Sequence, residues 1–135
     1  MSTLVDSNVL LDIIDQSPWF PWSSDRLAAA RSAGPLVINQ IILAEAAARF
    51  SDPAASDAPA FTRFERESVP WSAAFRAGQA HSRYRKRGGR RERTLPDFLI
   101  GAHAEAKGYT LLTRDPRRYR AYFPTVELIA PDTHP

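Results

Sequence analysis

The chain has 135 residues, of which 44% are hydrophobic and 24% charged, with 18 Lys and Arg set against 15 Asp and Glu for a net charge of +3. That length suits one domain with a substantial core and is too short for two ordinary ones, no apolar run approaches the ~20 residues needed to cross a bilayer, and zero Cys excludes a disulfide framework or a thiolate metal site. The start, Met1-Ser2-Thr3-Leu4-Val5-Asp6, has no basic segment followed by a long apolar one, so no secretory signal is expected and a cytoplasmic location is the default.

Ser2 to Val5 reads as a short strand ending at Asp6, with Ser7 and Asn8 able to cap a helix running through Asp15. Pro18 to Ser24 forms a turn leading into a helix to about Ser32, stopped by Ala33-Gly34-Pro35. Leu36-Val37-Ile38 is a second strand, and Asn39 can cap a helix to about Phe50. A looser Ala/Ser/Pro/Asp stretch follows to Pro59, then a helical region near 61–67 and a helix from Ser72 to about Lys86, stopped by Gly88-Gly89. Thr94-Leu95-Pro96-Asp97 opens a strongly apolar helix through Lys107 with Gly108 as its C-terminal cap. Tyr109 to Thr113 is a strand, Pro116 to Tyr122 a short helix or turn, and Val126 to Ala130 a last strand before a polar tail from about residue 131. Strands alternating with helices predict one α/β domain over residues 1–135, a central parallel sheet covered by helices on both faces, with ligands bound beyond the strands' C-terminal ends.

Four carboxylates interrupt or end apolar stretches: Asp6, Glu45, Asp97 and Asp115. Taken singly, three have structural uses. Asp6 can cap a helix, Asp97 stands three residues after Thr94 in capping-box spacing, and Asp115 before Pro116 can start a turn. Glu45 lies in the apolar sector of its helix, bracketed by Ile41, Ile42 and Ala48, with Arg49 at i+4 as a surface partner. If the fold gathers these acids, a cation must hold them, because two like charges ~4 Å apart repel by ~4 kcal/mol at an effective dielectric near 20. His103, six residues after Asp97, points to another side of the helix and reads as structural.

The positive charge is unevenly placed. Arg83, Arg85, Lys86, Arg87, Arg90, Arg91 and Arg93 form one cluster, and Arg114, Arg117, Arg118 and Arg120 a second. Such fields suit a polyanion, nucleic acid above all, although a solvated helix end would look the same in sequence.

Asp6-Ser7-Asn8-Val9-Leu10, a helical Glu45, Leu95-Pro96-Asp97-Phe98-Leu99-Ile100-Gly101-Ala102-His103-Ala104 and Leu111-Leu112-Thr113-Arg114-Asp115, in that order, resemble the PIN domain and, within it, the VapC-type toxins of bacterial toxin–antitoxin modules. The stretch from about Ser51 to Pro70 matches nothing diagnostic. The resemblance implies a metal-dependent endoribonuclease with Asp6, Glu45, Asp97 and Asp115 at the positions of an acidic quartet and Asn8 and Thr113 as supporting polar residues. Many members have Thr at the position of Ser7 and Asn at that of Asp115. It also implies a homodimer and a cognate antitoxin that covers the acidic groove.

Oxygen ligands without His or Cys suit Mg²⁺ or Mn²⁺. Asp6 and Asp97 are expected as direct ligands, with Glu45 and Asp115 coordinating directly, through water, or at a second ion. Arg83, Arg85, Lys86, Arg87, Arg90, Arg91, Arg93 and Arg114 would track the RNA backbone. Trp19, Phe20 and Trp22 are available either to stack on bases or to pack a core edge. Two other readings stand beside this one: a metal-free nucleic-acid-binding module, and the same nuclease chemistry applied to DNA.

Overall fold

The sequence places its apolar residues in short runs with no polar alternation, as strands covered on both faces require. In the computed structural model, which describes residues 1–89 and 95–135, the chain runs β1 (Thr3–Val5), α1 (Ser7–Asp15), α2 (Phe20–Ala33), β2 (Leu36–Ile38), α3 (Gln40–Ala47), a 3-10 stretch (Pro53–Asp57), α4 (Pro59–Thr62), β3 (Glu65–Arg66), α5 (Trp71–Lys86), α6 (Leu95–Lys107), β4 (Thr110–Leu112), α7 (Arg117–Tyr122) and β5 (Leu128–Ile129). All five strands are parallel, in the order β3-β2-β1-β4-β5. β1 is central: Thr3 pairs with Leu36 on one side and with Thr110 on the other. Every residue of β1, β2 and β4 is buried.

This strand order creates a crevice. The chain leaves β1 toward β2 and β3 and later returns to β1's other flank with β4, so the connections diverge beyond the C-terminal ends of β1 and β4. Asp6 follows the last residue of β1, and its amide continues the ladder to Leu112 O at 2.9 Å. Thr113 follows the last residue of β4.

The helices are fastened by apolar faces. Ala73, Ala77 and Ala80, at i, i+4 and i+7 of α5, are buried where that helix lies along α6. Phe98, Ile100, Ala102 and Ala104 on α6 join Leu4, Val5, Ile42, Leu111 and Leu112 in the core, each large side chain worth about 1.5–3 kcal/mol of burial. Gly101 allows α6 to meet the segment after α7, because a Cβ there would lie 2.4 Å from the Phe123 ring. Gly108 ends α6 at φ +66°, a conformation that favours glycine.

The elements foreseen from sequence are present, with four differences. The helical reading of 61–67 gives way to α4 and then to β3, whose two residues are charged, exposed and held by edge pairing to Val37 and Ile38. The helix after Asn39 stops at Ala47, where Arg49 and Phe50 bond back three residues to Ala46 and Ala47 in a tightened final turn. The last strand shrinks from Val126–Ala130 to Leu128–Ile129. Neither Ser7 nor Asn8 caps α1; both lie inside it, and Asp6 occupies the N-cap position. Asn39 does cap α3, its side chain accepting from Ile42 N at 3.0 Å. Among the described residues, no helix is long and apolar enough to cross a membrane.

Candidate active site

Asp6 stands where a capping carboxylate is expected, yet its side chain makes no cap bond. It is 4% exposed and turns instead into the crevice. There Oδ2 accepts the hydroxyls of Thr113 at 2.9 Å and Tyr119 at 2.8 Å. Oδ1 lies 3.4 Å from the Ser7 hydroxyl, whose single proton is better directed to Glu45 Oε1 at 2.9 Å, while the Ser7 backbone also bonds the carboxylate. One oxygen of Asp6 is therefore pinned by two donors, and the other retains acceptor capacity.

Glu45 is half-buried. The expected surface partner, Arg49, pairs with Asp15 instead at 2.9 Å, leaving Ser7 as the tie between Glu45 and the end of β1. Asp97, in the first turn of α6, is bound by the Arg118 guanidinium.

Burial raises the Asp6 carboxyl above its ordinary range despite the bonds from Tyr119, Thr113 and Ser7. Burial and the charge of Asp6 together raise Glu45 over the opposing Ser7 bond. Asp97 is pushed up to about 6 by burial and then by Asp6, with Arg118 opposing and Glu45 adding to the rise. The three acids thus feel one another's charge. Tyr119, 2% exposed, is raised well above its ordinary range by burial and by the charges of Asp6 and Asp97, so it stays a hydroxyl donor.

Asp115 is placed differently. Its side chain is 61% exposed, with Arg117 at 3.5 Å, while its amide donates to Thr113 Oγ1 at 3.1 Å. Thr113, fully buried, donates to Asp6 and receives from the Asp115 amide and, at 3.4 Å, from Asn8 Nδ2. Asn8 also accepts from Arg114 N at 3.1 Å. Thr113 therefore orients Asp6, and Asn8 fixes the loop after β4 without touching the Asp6 carboxylate.

Three contributors escaped the sequence reading. Arg118 and Tyr119 lie in the basic run Arg117-Arg118-Tyr119-Arg120, which resembles a solvated helix; only the short helix α7 shows that successive residues reach Asp97 and Asp6. Asp12, 1% exposed, takes Ser17, Ser23 and the Arg114 guanidinium at 2.7, 2.6 and 2.9 Å. Its spacing of i+6 from Asp6 gave no cue.

The basic residues Arg83, Arg85, Lys86 and Arg87 are exposed at the C-terminal end of α5. Tyr84 links that end to the acids: its ring packs on Phe98 and Tyr122 and carries the Arg118 guanidinium at 5.4 Å. Arg90, Arg91, Arg93 and Thr94 lie outside the described residues. Arg114 is engaged by Asp12 and lies over the Trp19 ring at 5.6 Å. Trp19 and Trp22 meet edge to face, and Trp22 donates to His134 O at 2.7 Å, while Trp19 and Phe20 keep substantial exposure. His103 is fully buried between Asn39 and Glu67, as a structural histidine should be.

Among the described residues, no three carboxylate or imidazole groups already form a tight metal cage. The donor chemistry nevertheless fits a hard cation: the crevice offers carboxylate oxygens, a spare Asp6 Oδ1, and negative charge countered by one guanidinium.

Several solved structures share the fold. VapBC2 from Rickettsia felis, bound to a DNA fragment from its promoter, superposes with a TM-score of 0.72 at 20% identity, covering 96% of this chain and 98% of that one. VapBC-1 from nontypeable Haemophilus influenzae gives 0.71 at 16% identity, with 96% and 98% covered. A toxin–antitoxin complex from Klebsiella pneumoniae gives 0.67 at 23% identity, with 92% and 94% covered. No curated protein matches the chain. The PIN domain family model matches residues 3–124, nearly the whole chain. Together with an all-parallel sheet that brings Asp6, Glu45 and Asp97 to its switch point, this match makes the chain a member of the PIN domain family.

Proposed function

We propose that this protein is a divalent-metal-dependent endoribonuclease, the toxin half of a toxin–antitoxin pair. The observation that carries the reading is the Asp6 carboxylate, desolvated at the sheet's switch point, with Oδ2 held by two hydroxyls and Oδ1 near the Ser7 hydroxyl that binds Glu45. Membership in a family of nucleases supports phosphodiester hydrolysis, and the toxin–antitoxin complexes that share the fold support the biological setting.

Asp6 and Asp97 would hold Mg²⁺ or Mn²⁺ directly, with Glu45 completing the inner acids and the exposed Asp115 serving at the rim or for a second ion. The chemistry such an ion would supply is a lowered pKa for water, so that it gives up a proton and attacks phosphorus, together with neutralisation of charge on the phosphate oxygens. The chain's own groups do the positioning. Tyr119 and Thr113 fix the plane of the Asp6 carboxylate, and Ser7 fixes Glu45 relative to it. Arg83, Arg85, Lys86 and Arg87 lead a phosphate backbone toward Tyr84 and the crevice, giving salt-sensitive and sequence-tolerant affinity. Sequence choice would fall to exposed aromatics such as Trp19. An antitoxin that presents an arginine to the acids would silence them, and a homodimer is the expected assembly.

The Arg118–Asp97 pair favours a second reading, a metal-free nucleic-acid-binding module whose acids are already neutralised by arginine. Cleavage of mixed tRNA and rRNA by antitoxin-free protein in EDTA, Mg²⁺ or Mn²⁺, with Asp6→Asn and Asp97→Asn alongside, separates the two. Metal-dependent cutting lost in both variants supports the nuclease. Salt-sensitive binding unchanged by EDTA, without cutting, supports the module. Matched DNA oligonucleotides test the substrate.

A further inference from the structure

We infer that Arg118 is a substrate-binding residue that changes partner, holding Asp97 in the metal-free protein and passing to the RNA phosphodiester once Asp97 takes a divalent ion. The inference rests on the metal-dependent reading above.

Three observations carry it. First, Arg118 is the charged partner of Asp97, and both side chains lie at the mouth of the crevice, 33% and 28% exposed. The guanidinium is thus bound to a ligand candidate yet adjacent to solvent. Second, its backbone cannot wander. The next residue, Tyr119, is buried and bonded to Asp6, so α7 is anchored within a side chain's reach of the acids whatever Arg118 does. Third, the guanidinium already rests against Tyr84, on the last turn of α5 beside Arg83 and Lys86, where a phosphate backbone drawn to the basic turn would pass.

The exchange follows from charge. Arg118 holds Asp97 through Oδ2, and a hard cation taken by the same carboxylate competes with the guanidinium for its charge, because a +2 ion beside a +1 fork is repulsive. Released, the fork has five N–H donors in the geometry that matches a phosphate bidentately, and a second class of anion arrives exactly with substrate. Asp97 loses its internal counter-ion when it gains the external one.

The test compares wild type with Arg118→Gln and Arg118→Lys, each shown to be folded by a far-UV thermal melt. Equilibrium Mn²⁺ binding is measured by titration calorimetry without RNA, RNA affinity is measured in EDTA, and KM and kcat are measured in Mn²⁺. Partner exchange predicts that Arg118→Gln binds Mn²⁺ several-fold more tightly and has a KM raised about tenfold, with RNA affinity in EDTA changed less than twofold. Arg118→Lys, which keeps the charge without the fork, should resemble wild type in Mn²⁺ affinity while still raising KM. Unchanged or weaker Mn²⁺ binding by Arg118→Gln overturns the inference, as does an unchanged KM or an equal loss of RNA affinity in EDTA. If wild type itself binds no Mn²⁺, the metal-centre reading falls and this inference falls with it; if wild type binds and Arg118→Gln binds identically, only the exchange is lost.

Discussion

Tyr119 donates its hydroxyl to Asp6 Oδ2 across 2.8 Å, joining residues 113 positions apart in sequence. Because Thr113 serves the same oxygen, removing the phenol hydroxyl leaves Asp6 bonded but free to rotate about one contact. Tyr119→Phe is expected to cost about 1–2 kcal/mol in urea unfolding and to lower kcat/KM for RNA by about 10- to 100-fold, the usual effect of losing an orienting partner. An unaltered kcat/KM would show that Tyr119 serves packing alone.

Stability of the metal-free protein should fall as pH rises. Asp97 is pushed up to about 6 in the folded state against 3.8 ordinarily, and Asp6 and Glu45 are raised too, so between pH 4 and 6 these three carboxyls hold more protons in the folded protein than in the unfolded chain, with Glu67 and Asp132, both lowered, pulling the other way. By linkage, stability declines through that window as the folded carboxyls ionise. A decline of about 2 kcal/mol is expected from chemical unfolding at pH 4.5 and pH 7 in EDTA, given 1.4 kcal/mol per unit and partial solvent exposure. Saturating Mn²⁺ should reverse the trend at pH 7, because it stabilises the ionised form. A flat or rising profile in EDTA would remove the case for a mutually repelling acid cluster.

His103 gives a control on a different side of α6 from this chemistry. Asn39 Oδ1 accepts from Ile42 N, so its amide nitrogen must donate to His103 Nδ1 at 2.9 Å, and His103 Nε2–H then donates to Glu67 at 2.9 Å. His103→Ala opens a cavity and orphans both partners, an expected loss of about 2–4 kcal/mol. The Mn²⁺ affinity of the folded fraction, read by calorimetry, should stay within twofold of wild type.

The basic turn of α5 should act through salt. Replacing Arg83 and Lys86 by Gln removes two exposed cations, so the slope of log RNA affinity against log salt should flatten by about 1.4, at ~0.7 per phosphate contact on single strands. Electrophoretic mobility shifts between 50 and 200 mM NaCl provide the measurement, and an unchanged slope would place the RNA path elsewhere.

The sequence carried the strands and long helices because their signals are local: the Leu36-Val37-Ile38 run, Asn39 as a cap, Gly108 as a stop. It also marked Asp6, Glu45 and Asp97 as acids in apolar settings, and these three share one electrostatic environment in the fold. The rest depends on pairing at a distance. Glu65 and Arg66 carry no apolar alternation and become a strand only because β2 offers an open edge. Arg118 and Tyr119 are adjacent in a run that reads as solvated, and nothing local indicates that one reaches Asp97 and the other Asp6. Glu45 was given Arg49 by helical spacing, but Asp15 on α1 competes for that arginine and wins. Asp115, equal to the others in the motif, sits outermost because the Thr113 hydroxyl turns its backbone, rather than its carboxylate, inward.

The close approach of Gly101 to the Phe123 ring gives the acidic crevice an uncharged adjustment point. Phe123 immediately follows α7, so a single methyl added at Gly101 would press on the hinge of the element that delivers both Arg118 and Tyr119. Gly101→Ala should therefore loosen two polar contacts at once without altering a single charge, freeing Asp97 while unseating Asp6, visible as a lowered melting temperature beside a Mn²⁺ affinity below that of Arg118→Gln. Cation affinity in this protein would then drift through packing substitutions that leave every acidic residue in place.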